Sequence, residues 1–86
     1  MSYRIKATFP EGVTRDDIAR VMHATGLSPD NPPEGSISHE ERIENGRVVI
    51  VDEYTSKDTF QAFLHNYAIP AHEETGVPQA ENIEEL

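Results

Sequence analysis

Asn45-Gly46 separates two strand-like runs, Ser36 to Glu44 and Arg47 to Tyr54. Asn-Gly is the strongest short-range signal of a type I′ hairpin, because both central residues of that turn need positive φ. A two-residue turn fixes the pairing of everything behind it. Glu44 then faces Arg47, Ile43 faces Val48, Glu41 faces Ile50, His39 faces Asp52, and Ile37 faces Tyr54. Directly opposed residues share a sheet face. The turn therefore gathers His39, Glu41, Asp52 and Tyr54 on a face otherwise built of Ile37, Ile43, Val48 and Ile50. The opposite face carries Val49 and Val51 among Glu40, Arg42, Glu44, Arg47 and Glu53. The hairpin alone leaves open which face meets the rest of the chain.

The flanking segments supply the other layers. Tyr3, Ile5, Ala7 and Phe9 alternate with Arg4, Lys6 and Thr8, the pattern of a half-buried strand. Pro10-Glu11-Gly12 ends it, and Thr14 is placed to cap a helix with Asp17 at its third position. Val13 and Ile18 are spaced as a hydrophobic staple, and Gly26 stops the helix. Ser28 to Gly35, with three prolines, reads as a loop. Ser56 caps a second helix whose stripe is Phe60, Phe63, Leu64, Tyr67, Ala68 and Ala71. Pro70 lies inside that stripe, so the helix must kink or restart there. Ala80 to Leu86 reads as a short acidic edge strand. The order β-α-β-β-α-β is the ferredoxin-like split pattern. It predicts an α+β fold with a four-stranded antiparallel sheet and two helices on one face. A single domain over residues 1–86 is expected.

Composition narrows the function classes. A net charge of −9 repels phosphate backbones, so no nucleic-acid partner is expected. With no cysteine, thiolate metal sites and cysteine nucleophiles are excluded. No apolar run is long enough for a membrane span, and Met1 to Lys6 lacks a signal-peptide core, which predicts a soluble cytoplasmic protein without a membrane partner. No glycine-rich phosphate loop, dinucleotide fingerprint or nucleophile elbow occurs, so nucleotide and nicotinamide cofactors are not indicated.

The hairpin face is where chemistry is expected. A hydrogen bond from His39 to Asp52 would orient the imidazole, select its tautomer and raise its basicity. The free ring nitrogen would then serve as a general base, with Tyr54 donating to a developing oxyanion and Glu41 completing a relay. An apolar cleft between sheet and helices, lined by Ile37, Ile50, Phe63 and Tyr67, would hold a small-molecule ligand. The competing reading is a structural polar pair on a sheet face. His23 reads as a complement to the helix dipole. His65 and His72 lie seven residues apart without compact ligand spacing, so no metal site is expected.

In this order and spacing, several short motifs together resemble a known group. They are Phe9-Pro10-Glu11-Gly12, Pro32-Pro33-Glu34-Gly35, His39, Asp52 with Tyr54, Ser56-Lys57-Asp58 before Phe60 and Phe63, and Glu74-Thr75-Gly76-Val77 after Pro70. The chain resembles the dimeric α/β-barrel superfamily, near the antibiotic-biosynthesis-monooxygenase-like proteins. The resemblance implies a homodimer whose sheets pack against each other. It also implies a cofactor-independent oxygenase or cyclase acting on an aromatic or polyketide-like small molecule. Where that family most often has tryptophan, this chain has Tyr54. The alternative expectation is a non-catalytic dimeric module that binds a ligand or a protein.

Overall fold

The turn residues adopt the left-handed backbone that their identity predicts, with φ of 53° at Asn45 and 77° at Gly46. The computed structural model describes residues 1–86. Its strands are β1 (Tyr3–Thr8), β2 (Ser36–Glu44), β3 (Arg47–Tyr54) and β4 (Asn82–Glu85). Its helices are α1 (Arg15–Thr25), α2 (Lys57–Phe63) and α3 (Ile69–Thr75). All strand pairs are antiparallel, in the order β2-β3-β1-β4. This is the ferredoxin-like α+β arrangement. No helix is long and apolar enough to cross a membrane.

Both helical segments start where side chains satisfy the orphan amides of a first turn. Asp17 N–H donates to Thr14 Oγ1 at 3.1 Å, and Thr14 N–H donates to Asp17 Oδ2 at 2.9 Å. Ser56 and Thr59 form the same reciprocal box ahead of α2. Gly26 ends α1 at φ 76°, with its N–H on the His23 carbonyl. The break expected at Pro70 takes a particular form. A π-helical turn, Leu64–Ala68, joins α2 to α3. Ile69 N–H donates to the Leu64 carbonyl, five residues back. In an unbroken α-helix the Pro70 ring would collide with the carbonyl of Asn66 and leave it unpaired. Widening the preceding turn by one residue accommodates both effects.

The helices cover the sheet face that bears Ile5, Ala7, Val48, Ile50 and Tyr54. Together with Ile18, Val21, Phe60 and Ala71 these form one buried cluster. Removing each of the valine, isoleucine and phenylalanine side chains from water contributes about 1.5–3 kcal/mol. Val13 and Ile18 are both buried, as the staple requires. The helix-free face is different. Val49 and Val51 are buried there beneath long charged side chains, with Lys6 bonded to Glu44 at 2.9 Å and Arg42 to Glu40 at 2.9 Å. The aliphatic stems do the covering while the charged heads pair in water.

One register expectation is corrected. From Glu44 back to His39 the pairing follows the turn, but a β-bulge lies between Ser36 and Ser38. Ser36, not Ile37, faces Tyr54, and Ile37 is extruded. The cause is at the strand's start. Gly35 has φ 82°, and a Cβ there would lie 2.6 Å from Thr59 Cβ. Its carbonyl accepts from Thr55 N–H at 2.8 Å. The chain is therefore anchored against α2 at Gly35 and against the turn at Glu44, and one surplus residue must bulge.

Two glycines differ in a testable way. A Cβ at Gly46 meets no atom within 4 Å, so the main cost of Gly46→Val is backbone strain, about 1–3 kcal/mol in urea unfolding. Gly35→Ala should lower the midpoint as well, through its clash with the capping Thr59. A Gly46→Val protein as stable as the parent would contradict the left-handed turn.

Candidate active site

The hairpin ladder sets His39 directly across from Asp52, while Ile5 flanks Asp52 on the other side. Asp52 is thereby 7 % exposed, and the His39 side chain is 45 % exposed. His39 Nδ1 lies 2.6 Å from Asp52 Oδ1. A carboxylate only accepts, so Nδ1 is the donor, and in the neutral ring Nε2 keeps its lone pair. The Asp52 hydrogen bond holds the His39 pKa above its ordinary 6.5, the charges of Asp52 and Glu41 add to this, and partial burial opposes it.

Tyr54 ends β3 with its ring almost wholly buried, edge-on to Phe60 at 5.4 Å and stacked on Phe63 at 5.9 Å. Burial first, and the Asp52 charge second, push its hydroxyl far above the usual value of 10. The group stays protonated and can only be a donor toward an anion. These residues border a cavity of about 690 Å³ between the sheet and the helices. That volume falls within the usual range for small-molecule sites. Ile37, His39, Ile50, Asp52, Tyr54 and Phe63 all line it, with Ile37 at the rim because the bulge leaves it half exposed. No lysine or arginine lines the cavity, and Asp52 is its one carboxylate.

Two expected site residues lie elsewhere. Glu41 does not border the cavity. Its carboxylate is held by Arg15 Nε at 2.7 Å, at the start of α1, and it reaches His39 only through charge. Tyr67 is 41 % exposed and lines a separate cleft of about 140 Å³ with Pro33, Glu34 and Asn66. The π turn rotates Tyr67 outward relative to an unbroken helical stripe. Several lining residues were not assigned to the site from sequence, and His72 is the most polar of the buried ones. His72 is buried, stacks on Phe9 and borders the same cavity. The available signal was its position four residues after Ala68, which continues the apolar stripe. His23 also borders the cavity, from the exposed side of α1, whereas His65 bonds Gln61 outside it. No group of three or more His, Asp or Glu side chains is gathered to hold a metal ion.

No protein-family model matches the chain, and no curated protein does. Among solved structures, it is similar to a protein from Chloroflexus aurantiacus J-10-fl provisionally described as an antibiotic biosynthesis monooxygenase. The TM-score is 0.68 at 13 % sequence identity, covering 100 % of this chain and 91 % of that one. At that identity the likeness is one of fold, and it agrees with the monooxygenase-like resemblance seen in the sequence.

The raised His39 pKa fixes the sign of a pH effect. Stabilisation from the charged pair is complete below 6.5 and is lost as pH rises through the folded value. His39→Gln should therefore cost stability in acid, and the deficit should shrink above that window. Asp52→Asn should lower the His39 pKa measured by NMR titration. A pKa unchanged by Asp52→Asn would contradict the assigned bond.

Proposed function

We propose that the protein is a small cofactor-independent enzyme, oxygenase- or cyclase-like, acting on an aromatic or polyketide-like molecule in the cavity. The observation that carries this reading is the 2.6 Å His39–Asp52 bond beside a chamber whose walls are mostly hydrophobic. With Nδ1 committed to Asp52, Nε2 is the base. It takes the proton of a phenol or of a carbon acid next to a carbonyl. The Tyr54 hydroxyl stabilises the oxyanion that results. Apolar walls strengthen both interactions by excluding water.

Two outcomes share that first step. In an oxygenase, a ring carbon of the phenolate bonds to dioxygen, and the imidazolium returns its proton to the distal oxygen. The hydroperoxide then loses water, its C–H proton leaving as the O–O bond breaks. Phenol plus dioxygen gives quinone plus water, and no external reductant is needed. In a cyclase, the enolate carbon adds to a second carbonyl of the same molecule, and the imidazolium protonates the new alkoxide.

A second reading, a non-catalytic dimeric binding module, is favoured by one feature. His39 and Asp52 satisfy each other without any substrate, and nearly half of the His39 side chain is open. In either reading the helix-free sheet face is proposed to meet a second copy, since a chain this small buries little surface by itself. Sedimentation should give a dimer at micromolar concentration. A clean monomer would remove the dimer and leave the cavity untouched.

Turnover separates the two readings. With an aromatic substrate found by screening, kcat/KM should rise with pH through a His39 value above 6.5. His39→Ala should slow the reaction by roughly 10²–10⁴-fold. Asp52→Asn should also slow it, and should move the acid limb to lower pH. Variants that turn over like the parent would make the pair structural.

A further inference from the structure

Besides His39 and the exposed His23, the cavity wall holds a third imidazole, His72, whose ring is hydrogen-bonded through Nδ1 as that of His39 is. Its Nδ1 lies 2.9 Å from the Val77 carbonyl oxygen, so Nδ1 carries the proton and donates. The ring stacks on Phe9, with centroids 5.8 Å apart and planes 25° from parallel. The residue is 8 % exposed. Nε2 bonds no protein group, yet no side-chain nitrogen or oxygen is both sealed from solvent and unpartnered. What remains open of His72 faces the cavity it lines. An acceptor held in place at a cavity wall and left to solvent favours a ligand that can donate to it over one that cannot.

Its location relative to His39 matters. Phe9 N–H donates to the Val48 carbonyl, which puts the Phe9–His72 stack level with the start of β3. His39 is level with Asp52, four residues further along the same strand. Four residues of strand span about 13 Å. The two imidazoles thus stand at different levels along one chamber, and each ring, when neutral, presents an Nε2 acceptor. The walls hold no lysine or arginine. At a pH above the His39 titration, where that ring is neutral, a carboxylate or phosphate on the ligand would meet no lysine or arginine and would lie near Asp52.

We infer that His72 is a specificity-determining residue, a second hydrogen-bond acceptor that selects uncharged ligands carrying a hydroxyl at the end remote from His39. This rests on the cavity being the ligand site, and not on catalysis by His39. A single ring does not bridge the two anchors, whereas a polycyclic hydroxyaromatic does.

The test uses calorimetric titration of the whole chain with three probes: a dihydroxyanthraquinone with hydroxyls at its two ends, its dimethyl ether, and the matching dicarboxylate. The parent should bind the diol about tenfold or more tightly than either analogue. His72→Asn keeps a donor near the Nδ1 position for Val77 and lacks Nε2, so the preference for diol over ether should fall. His72→Gln places its amide oxygen near the Nε2 position and should restore part of it. A measurement without any variant stands beside these: the nitrogen NMR resonance of His72 Nε2 should move with the diol and stay put with the ether. Equal binding of all three probes, no binding of any, or a preference kept in His72→Asn would overturn the inference. The His39 titration in the ligand-free protein is independent of each of these results, so the base assignment is judged separately.

Discussion

Positive φ at two consecutive residues is a demand that few side chains meet, and Asn45-Gly46 meets it. Everything chemical in the molecule is downstream of that turn. A slip of one residue would send the His39 side chain to the helix-free face, among Glu40, Arg42 and Glu44. In the register observed, His39 instead meets Asp52 above the apolar cluster. The pair is then forced on itself. A carboxylate that is 7 % exposed beside Ile5, Ile50 and Tyr54 is costly unless a donor reaches it, and His39 is the donor within reach.

The consequences radiate from Asp52. Its hydrogen bond sets the proton on His39 Nδ1 and frees Nε2. Its charge helps keep the Tyr54 hydroxyl protonated. A base and a neutral donor are thereby held at one edge of the same chamber by a single carboxylate. Environments that drive two titratable groups toward opposite roles are what acid–base chemistry at neutral pH requires. Most of the remaining wall residues are aromatic or aliphatic, with His23, His72, Gln79 and a few hydroxyls among them.

Much of this was legible in the sequence because it depends on local rules. The hairpin pairing from Glu44 back to His39, both helix N-caps, the Val13–Ile18 staple and the His39–Asp52 opposition all follow from spacing and residue type. What escaped depends on contacts between distant segments. The bulge at Ile37 arises because Gly35 is fixed against Thr59, twenty-four positions away, and no property of the strand itself announces that. Glu41 was placed on the correct face, but Arg15 of α1 claims its carboxylate. Tyr67 follows a helical stripe that the π turn before Pro70 interrupts. His72 entered the cavity through the same altered helix, where its stacking on Phe9 could not be read from either segment alone.

The central claim is that Asp52 fixes the His39 tautomer. Long-range proton–nitrogen NMR correlation on the neutral imidazole tests it directly, since the two ring nitrogens differ sharply when only one bears hydrogen. The Asp52 hydrogen bond predicts the proton on Nδ1 and an unprotonated Nε2, with the pattern lost in Asp52→Asn. A proton on Nε2 in the parent, or fast averaging between both nitrogens, would contradict it.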